Sequence, residues 1–171
     1  MTIYMKKPQL FPYILIPLFV VFLILQIRSW IVKPEAETAV LQKETTSVIF
    51  PDGFDVKAEV VRTPEAQAQG LSGREALKPE EGMLFFLEEP GKLAIWMKGM
   101  RFPIDALWIR HGTVVYAVYN APVPEVGKKI PSFYPSEEAD TILEVPAGTA
   151  EAHGVSVGTE VRVEEVDENS L

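Results

Sequence analysis

The chain has 171 residues, of which 47% are hydrophobic and 23% charged, and its formal net charge is −8. It has no cysteine, which excludes a disulfide scaffold, a thiolate zinc site and thiol catalysis. The first 33 residues hold four basic and no acidic side chains, whereas the remainder holds 12 basic and 24 acidic ones, a net charge of −12. An acidic domain is repelled by nucleic acid, so no nucleic-acid partner is expected.

The most apolar segment is residues 10–27, in which Gln26 is the only polar side chain. A helix of this length spans roughly 27 Å, close to the thickness of the bilayer core. A buried core helix and a cleaved signal peptide are the alternatives, but the apolar run is longer than a signal peptide needs and is followed by basic and aromatic residues typical of a membrane interface. The sequence therefore predicts a transmembrane anchor over residues 10–29, a cytoplasmic tail over residues 1–9 and a linker over residues 30–46.

The orientation of the anchor is predicted from what flanks it. Lys6 and Lys7 precede it and Arg28 and Lys33 follow it, so the positive-inside rule is nearly balanced. A short tail before a long domain favours a tail that stays in the cytoplasm. We therefore expect a single-pass protein of the cell membrane with an extracytoplasmic C-terminal domain.

The first elements after the linker are predicted to be a hairpin and a short helix. Residues 48–50 and 54–61 are apolar or alternating runs on either side of a Pro-Asp-Gly turn, a pattern typical of a hairpin. Thr63 is suited to cap a helix that has proline at its first position, and Gly70 is suited to end it.

Strands are predicted to dominate the middle of the chain. Residues 83–87 and 93–97 are predicted to form a second hairpin, and residues 104–110 and 114–119 a third, around His-Gly-Thr. The segment 120–141 contains four prolines and is too long for an ordinary connection, which is typical of a functional or mobile loop.

The end of the domain is predicted to contain a strand at residues 142–145, a short helix at 147–153 and a last strand at 160–166. The domain as a whole, residues 47–166, is followed by a polar tail over residues 167–171. Short strands with frequent turn signals predict a mostly β (α+β) fold, a small antiparallel β-barrel or sandwich with two short helices.

Four segments in this order carry a resemblance to a known family. They are GLSGR at 70–74, EGMLFF at 81–86, WMKGMRFPID at 96–105 and LEVPAG at 143–148. Together they resemble the bacterial and archaeal family called domain of unknown function 192 (DUF192) over residues 48–165. The resemblance implies a compact β-rich domain, commonly behind a signal peptide or a single membrane helix, whose activity is unassigned.

Within these segments the chain departs from the family pattern at several positions. The family tends to have Asn-Thr where this chain has Gly99 and Met100, and often has methionine at the position of Ser72. The family also tends to have Gly-Asp where this chain has Gly158 and Thr159. The loss of the Asn, Thr and Asp side chains removes polar groups that a shared site would use.

Charged residues within these segments are the first candidates for a site: Arg74, Glu81, Lys98, Arg101 and Asp105. In a binding site, Arg74, Lys98 or Arg101 would hold an anionic group that Asp105 orients. The alternative is that the charges pair with one another, for example in a salt bridge between Lys98 and Asp105. In an enzyme, Asp105 or Glu81 would act as general acid or base, with Lys98 or Arg101 as the electrostatic partner.

Aromatic and thioether side chains are the second set of candidates. Phe133 and Tyr134 lie in the long proline-rich segment and would line a groove for a ligand, whereas Trp96 and Trp108 are predicted to be core residues. Two methionines, Met97 and Met100, are weak candidates for Cu(I), although methionine in a strand is ordinarily a core residue. No cofactor is expected.

The favoured hypothesis is a binding or accessory module of the cell envelope. Its partner would be a small ligand, a glycan or a protein. The alternatives are an envelope enzyme and, less favoured, a copper-binding protein.

Overall fold

The computed structural model describes residues 44–164. The predicted tail, the predicted anchor at 10–29, nearly all of the predicted linker and the C-terminal tail at 167–171 lie outside the described residues. Within residues 44–164, no helix is both long enough and apolar enough to cross a membrane.

The described chain forms β-strands with two short helices, as the sequence predicts. The strands are β1 (Thr45–Ile49), β2 (Asp55–Val61), β3 (Glu81–Gly91), β4 (Ile95–Trp96), β5 (Ile104–Arg110), β6 (Thr113–Ala121), β7 (Ser132–Phe133), β8 (Ala139–Pro146) and β9 (Arg162–Val163). The helices are α1 (Pro64–Gln69) and α2 (Thr149–Ala152). β1 begins two residues before the predicted domain boundary at residue 47.

Seven of these strands form one sheet in the order β6-β5-β8-β3-β2-β1-β9, and β4 pairs with β7 in a separate ribbon. The neighbouring strands are antiparallel except β2 and β3, which are parallel and are joined by a crossover that contains α1. Glu160 forms an antiparallel β-bridge with Thr113 at the start of β6, and β9 pairs with β1. Because β9 is one edge of the sheet and the residues just before it pair with β6 at the other edge, the sheet is curled into a half-barrel.

Both faces of the central strands are covered, and β5 and β8 are buried along nearly their whole length. One face carries the first core, which includes Val56, Leu84, Leu107 and Leu143. The opposite face carries the second core, whose members include Met83, Phe85, Ile104, Trp108 and Ile142. Residues of the 71–77 and 95–102 segments cover this second face, and the candidate site lies there.

Local sequence accounts for the β1–β2 hairpin, which turns at Gly53, for the β5–β6 hairpin and for α1. His111 and Gly112 both have positive φ values, 49° and 78°, in the two-residue turn between β5 and β6. Thr63 caps α1 by accepting a hydrogen bond at Oγ1 from the Ala66 N–H at 3.3 Å, and the helix ends at Gly70. These predictions are confirmed.

The predicted second hairpin is wrong. β3 continues to Gly91 and pairs with β2 and β8, while Ile95 pairs with Phe133 of β7. Trp96 is 51% exposed and is not a core residue, whereas Trp108 is fully buried and donates its Nε1–H to the carbonyl of Leu93 at 2.8 Å. Of the last strand predicted at 160–166, the described part of the chain, which ends at residue 164, contains only Arg162–Val163.

Candidate functional site

A cleft of about 440 Å³ opens on the second face of the sheet. One wall is α1 with the turn that follows it, including Ala68 and Leu71, and the other is the segment 93–96. The floor is formed by Phe85 of β3 together with residues of β8. Mostly apolar clefts of this size are typical sites for small molecules.

The floor of the cleft contains one buried carboxyl group, that of Glu144 on β8. Glu144 is 7% exposed and lies in register between Met83 of β3 and Ala106 of β5. Within residues 44–164 its carboxyl group forms no hydrogen bond or ion pair. Burial alone raises the pKa of Glu144 to about 8, so the carboxyl group is mostly protonated at neutral pH.

Other polar side chains of the cleft are already engaged or exposed. The Gln67 side-chain amide donates to the carbonyl of Phe86 at 2.7 Å, and the Ser72 hydroxyl donates to the carbonyl of Lys98 at 2.6 Å. Gln69 is exposed to solvent. The Glu144 carboxyl group is thus the polar group that the cleft offers to a ligand, and a protonated carboxyl can both donate and accept a hydrogen bond.

Asp105 is fully buried but does not line this cleft. Its Oδ1 accepts from the Asn120 N–H at 2.8 Å and its Oδ2 from the Ala150 N–H at 3.0 Å, so it joins the end of β6 to the start of α2. The predicted salt bridge with Lys98 is wrong: the Lys98 ammonium lies 5.0 Å from the centre of the Trp96 ring.

The other charged candidates are paired near the surface. Arg74 contacts Glu59 at 2.5 Å, and Arg101 pairs with Glu75 of the loop between α1 and β3. Lys78 contacts Glu81 at 2.8 Å, and its hydrogen bond lowers the pKa of Glu81. Mutual pairing therefore accounts for the positions of Arg74, Arg101 and Glu81, and their roles in ligand binding or catalysis stay predictions.

The aromatic and methionine candidates are separated by the fold. Phe133 is half-buried against the second core, whereas Tyr134 is 73% exposed. Met97 and Met100 belong to the second core, and Met100 also lines the cleft. Within residues 44–164, no three His, Asp or Glu side chains come together as metal ligands, and the copper hypothesis stays a prediction.

Glu144 was missed by the reasoning from sequence, although the sequence contains a signal for it. The segment 141–145, Thr-Ile-Leu-Glu-Val, places one ionisable residue inside an otherwise apolar strand. In a strand buried on both faces such a residue is held largely away from bulk solvent, so its burial was predictable from the pattern.

Comparison with known proteins places this fold in an uncharacterised family. The profile of the DUF192 family, described as "Uncharacterized ACR", matches residues 47–163. No curated protein matches the chain.

Two solved structures are similar to the chain. A proposed transcription regulator from Sinorhizobium meliloti 1021 is 30% identical, with a TM-score of 0.62; the match covers 70% of this chain and 92% of that one. A protein of unknown function from Novosphingobium aromaticivorans DSM 12444 is 25% identical, with a TM-score of 0.63; here the match covers 76% of this chain and 97% of the other.

Proposed function

We propose that this chain, which belongs to the DUF192 family, is a binding module that holds a small ligand with an apolar body in the cleft between α1 and residues 93–96. The observation that carries the proposal is Glu144, a buried carboxyl group without a partner within residues 44–164. Leaving a buried polar group unpaired costs folding free energy, and a ligand would supply the missing partner.

Membrane anchoring and an extracytoplasmic location belong to the same proposal. Their support is the apolar segment at residues 10–27 and the acidic composition of the chain that follows it. The binding module would then sample small molecules of the cell envelope.

An enzyme is a second candidate because of the same carboxyl group. A pKa of about 8 places Glu144 in the range where a general acid or base works efficiently near neutral pH. Asp105 and Glu81, the carboxyls that the sequence suggested for this role, do not line the cleft. Turnover of a bound molecule that Glu144→Gln abolishes, with binding retained, would favour this candidate.

The binding proposal is tested on the full chain in detergent micelles, with ¹³C-labelled methionine methyl groups. Cyclohexanol, cyclohexylamine and cyclohexanecarboxylate serve as small probes that differ in charge. Met100 lines the cleft, whereas Met97 is fully buried and does not line it. At least one probe is expected to shift the Met100 methyl resonance with saturation and to shift that of Met97 far less.

Two variants on the same helix provide the control. Ala68→Phe should weaken binding of that probe at least about fivefold, because Ala68 lines the cleft. Ala66→Phe should leave binding unchanged, because Ala66 is exposed and does not line it. The proposal fails if none of the three probes gives a saturable Met100 shift, or if both variants weaken binding equally.

A further inference from the structure

We infer that the ligand of this cleft is a cationic amine with an apolar body, whose ammonium group pairs with the Glu144 carboxylate. The inference rests on the proposed function and deepens it by naming the class of ligand. It stands on the position of one unpaired carboxyl group in an apolar cleft and on the charges around that group.

The charges that line the cleft favour a cation. Glu144 is the only ionisable side chain among the described residues that line it. Glu59, Met83 and Glu144 stand side by side across β2, β3 and β8, and the nearby Arg74 is paired with Glu59. Residues 44–164 contain 11 basic and 19 acidic side chains, a net charge of −8, which attracts cations over longer distances.

The remaining charged groups on the surrounding elements do not reach the floor. Lys98 lies over the Trp96 ring at the mouth of the cleft, and Arg101 is paired with a glutamate. Glu65 of α1 is exposed, and Asp105 of β5 lies on the opposite face of the sheet with both oxygens bonded to backbone N–H groups. Glu81, at the start of β3, is paired with a lysine. Among residues 44–164, no cation therefore competes for Glu144.

The apolar lining suits the rest of such a ligand. Phe85 on the floor and Trp96 at the mouth present aromatic rings, which attract cations as well as apolar groups. The Trp96 ring already attracts one cation, because the Lys98 ammonium lies 5.0 Å from the centre of the ring. An ammonium ion on an apolar stem would pass this mouth and reach the carboxylate with its stem against Leu71 and Ile142.

Binding of an ammonium ion is coupled to the loss of a proton. Burial raises the pKa of Glu144 to about 8, so at neutral pH the proton must pass from the carboxyl group to solvent as the ion pair forms. The apparent affinity for an amine should therefore rise about tenfold per pH unit between about pH 6 and pH 8 and then level off. A neutral alcohol uses the protonated carboxyl group as its hydrogen-bond partner and should gain nothing from a higher pH.

The experiment follows the Met100 methyl resonance of the full chain during titration with cyclohexylamine and with cyclohexanol, at about pH 6, 7 and 8.5. At the highest pH the amine is expected to bind at least about tenfold more tightly than the alcohol. Glu144→Gln should abolish this preference and its pH dependence, since the amide cannot ionise. An unchanged Met97 methyl resonance shows that the second core of the variant is intact.

The outcomes separate this inference from the proposed function. If the alcohol binds as tightly as the amine, and Ala68→Phe weakens the binding of both, the inference fails and the binding function stands. An amine affinity that does not change with pH, or that survives Glu144→Gln, overturns the inference in the same way. If no probe binds, both fail.

Discussion

Two buried carboxyl groups on neighbouring strands show how differently single residues are used in this fold. Asp105 is in register with Val145, so it lies beside Glu144 but on the opposite face of the sheet. Both Asp105 oxygens accept backbone hydrogen bonds, whereas the Glu144 carboxyl group has no partner within residues 44–164. Asp105 therefore stabilises the fold, while Glu144 destabilises it and is the better candidate for a function.

The cost of Glu144 gives a prediction about stability and pH. Its pKa is about 8 in the folded protein and near 4.5 in the unfolded chain, so the folded state binds more protons between these values. Stability should fall as pH rises from about 4.5 to about 8, by at most roughly 1.4 kcal/mol per pH unit. Glu144→Gln should therefore be more stable than the parent at pH 8 by about 3 kcal/mol or more, with little difference near pH 4.5.

Denaturant unfolding of both proteins, followed by circular dichroism, measures this difference. Glu81→Gln is the control, because pairing with Lys78 lowers the pKa of Glu81 and both states are ionised above about pH 5.5. Its stability difference from the parent should stay constant up to pH 8. A difference for Glu144→Gln that is equally independent of pH would show that Glu144 is not buried in its protonated form.

Among the elements, β3 is the one on which the site depends. It pairs in parallel with β2 on one side and antiparallel with β8 on the other, and so aligns Phe85 with Ile142 on the floor of the cleft. The strands approach closely at Gly82, where an added Cβ would lie 2.8 Å from Val56 Cγ1 and 2.9 Å from the Glu144 carbonyl oxygen. The absence of a side chain at Gly82 thus sets the position of β8 beside β3.

Gly82→Ala is expected to destabilise the protein by about 2 kcal/mol or more, because the neighbouring backbone must move. Gly91→Ala, at the other end of β3, is the matched control: the atom nearest to its added Cβ would be the Glu89 carbonyl oxygen at 3.8 Å. Neither glycine requires a positive φ, so backbone strain is equal in the two variants. Thermal unfolding measures both, and equal losses of stability would contradict the close approach at Gly82.

The elements also show which parts of the fold were predictable from sequence. The β1–β2 and β5–β6 hairpins were predictable because their turns, at Gly53 and at His111 and Gly112, are encoded locally. The pairing of β3 was not, since its partners come from distant parts of the chain and a turn-like sequence follows it. A local turn signal predicts a hairpin only where no distant strand competes for the same edge.

At the scale of the whole molecule, the strands of the fold were more predictable from the sequence than the cleft. The strands predicted at residues 104–110 and 142–145 are present as β5 and within β8, whereas their burial between two cores was not predicted. The cleft was not predictable, because its walls come from α1 and from the segment 93–96, which meet only after the chain has folded. Reasoning from charged motifs instead selected Lys98, Arg101 and Asp105, which serve pairing and packing within the described part of the chain.

The proposed membrane anchor leads to a prediction about which side of the membrane the domain occupies. Because the chain has no cysteine, a single introduced cysteine reports its own location. Ser136→Cys, at an exposed position of the domain, should react with a membrane-impermeant maleimide in intact cells, whereas Thr2→Cys should react only after permeabilisation. The cysteine-free parent chain controls for background labelling. The reverse pattern would place the acidic domain in the cytoplasm and would remove envelope molecules from the candidate ligands of the cleft.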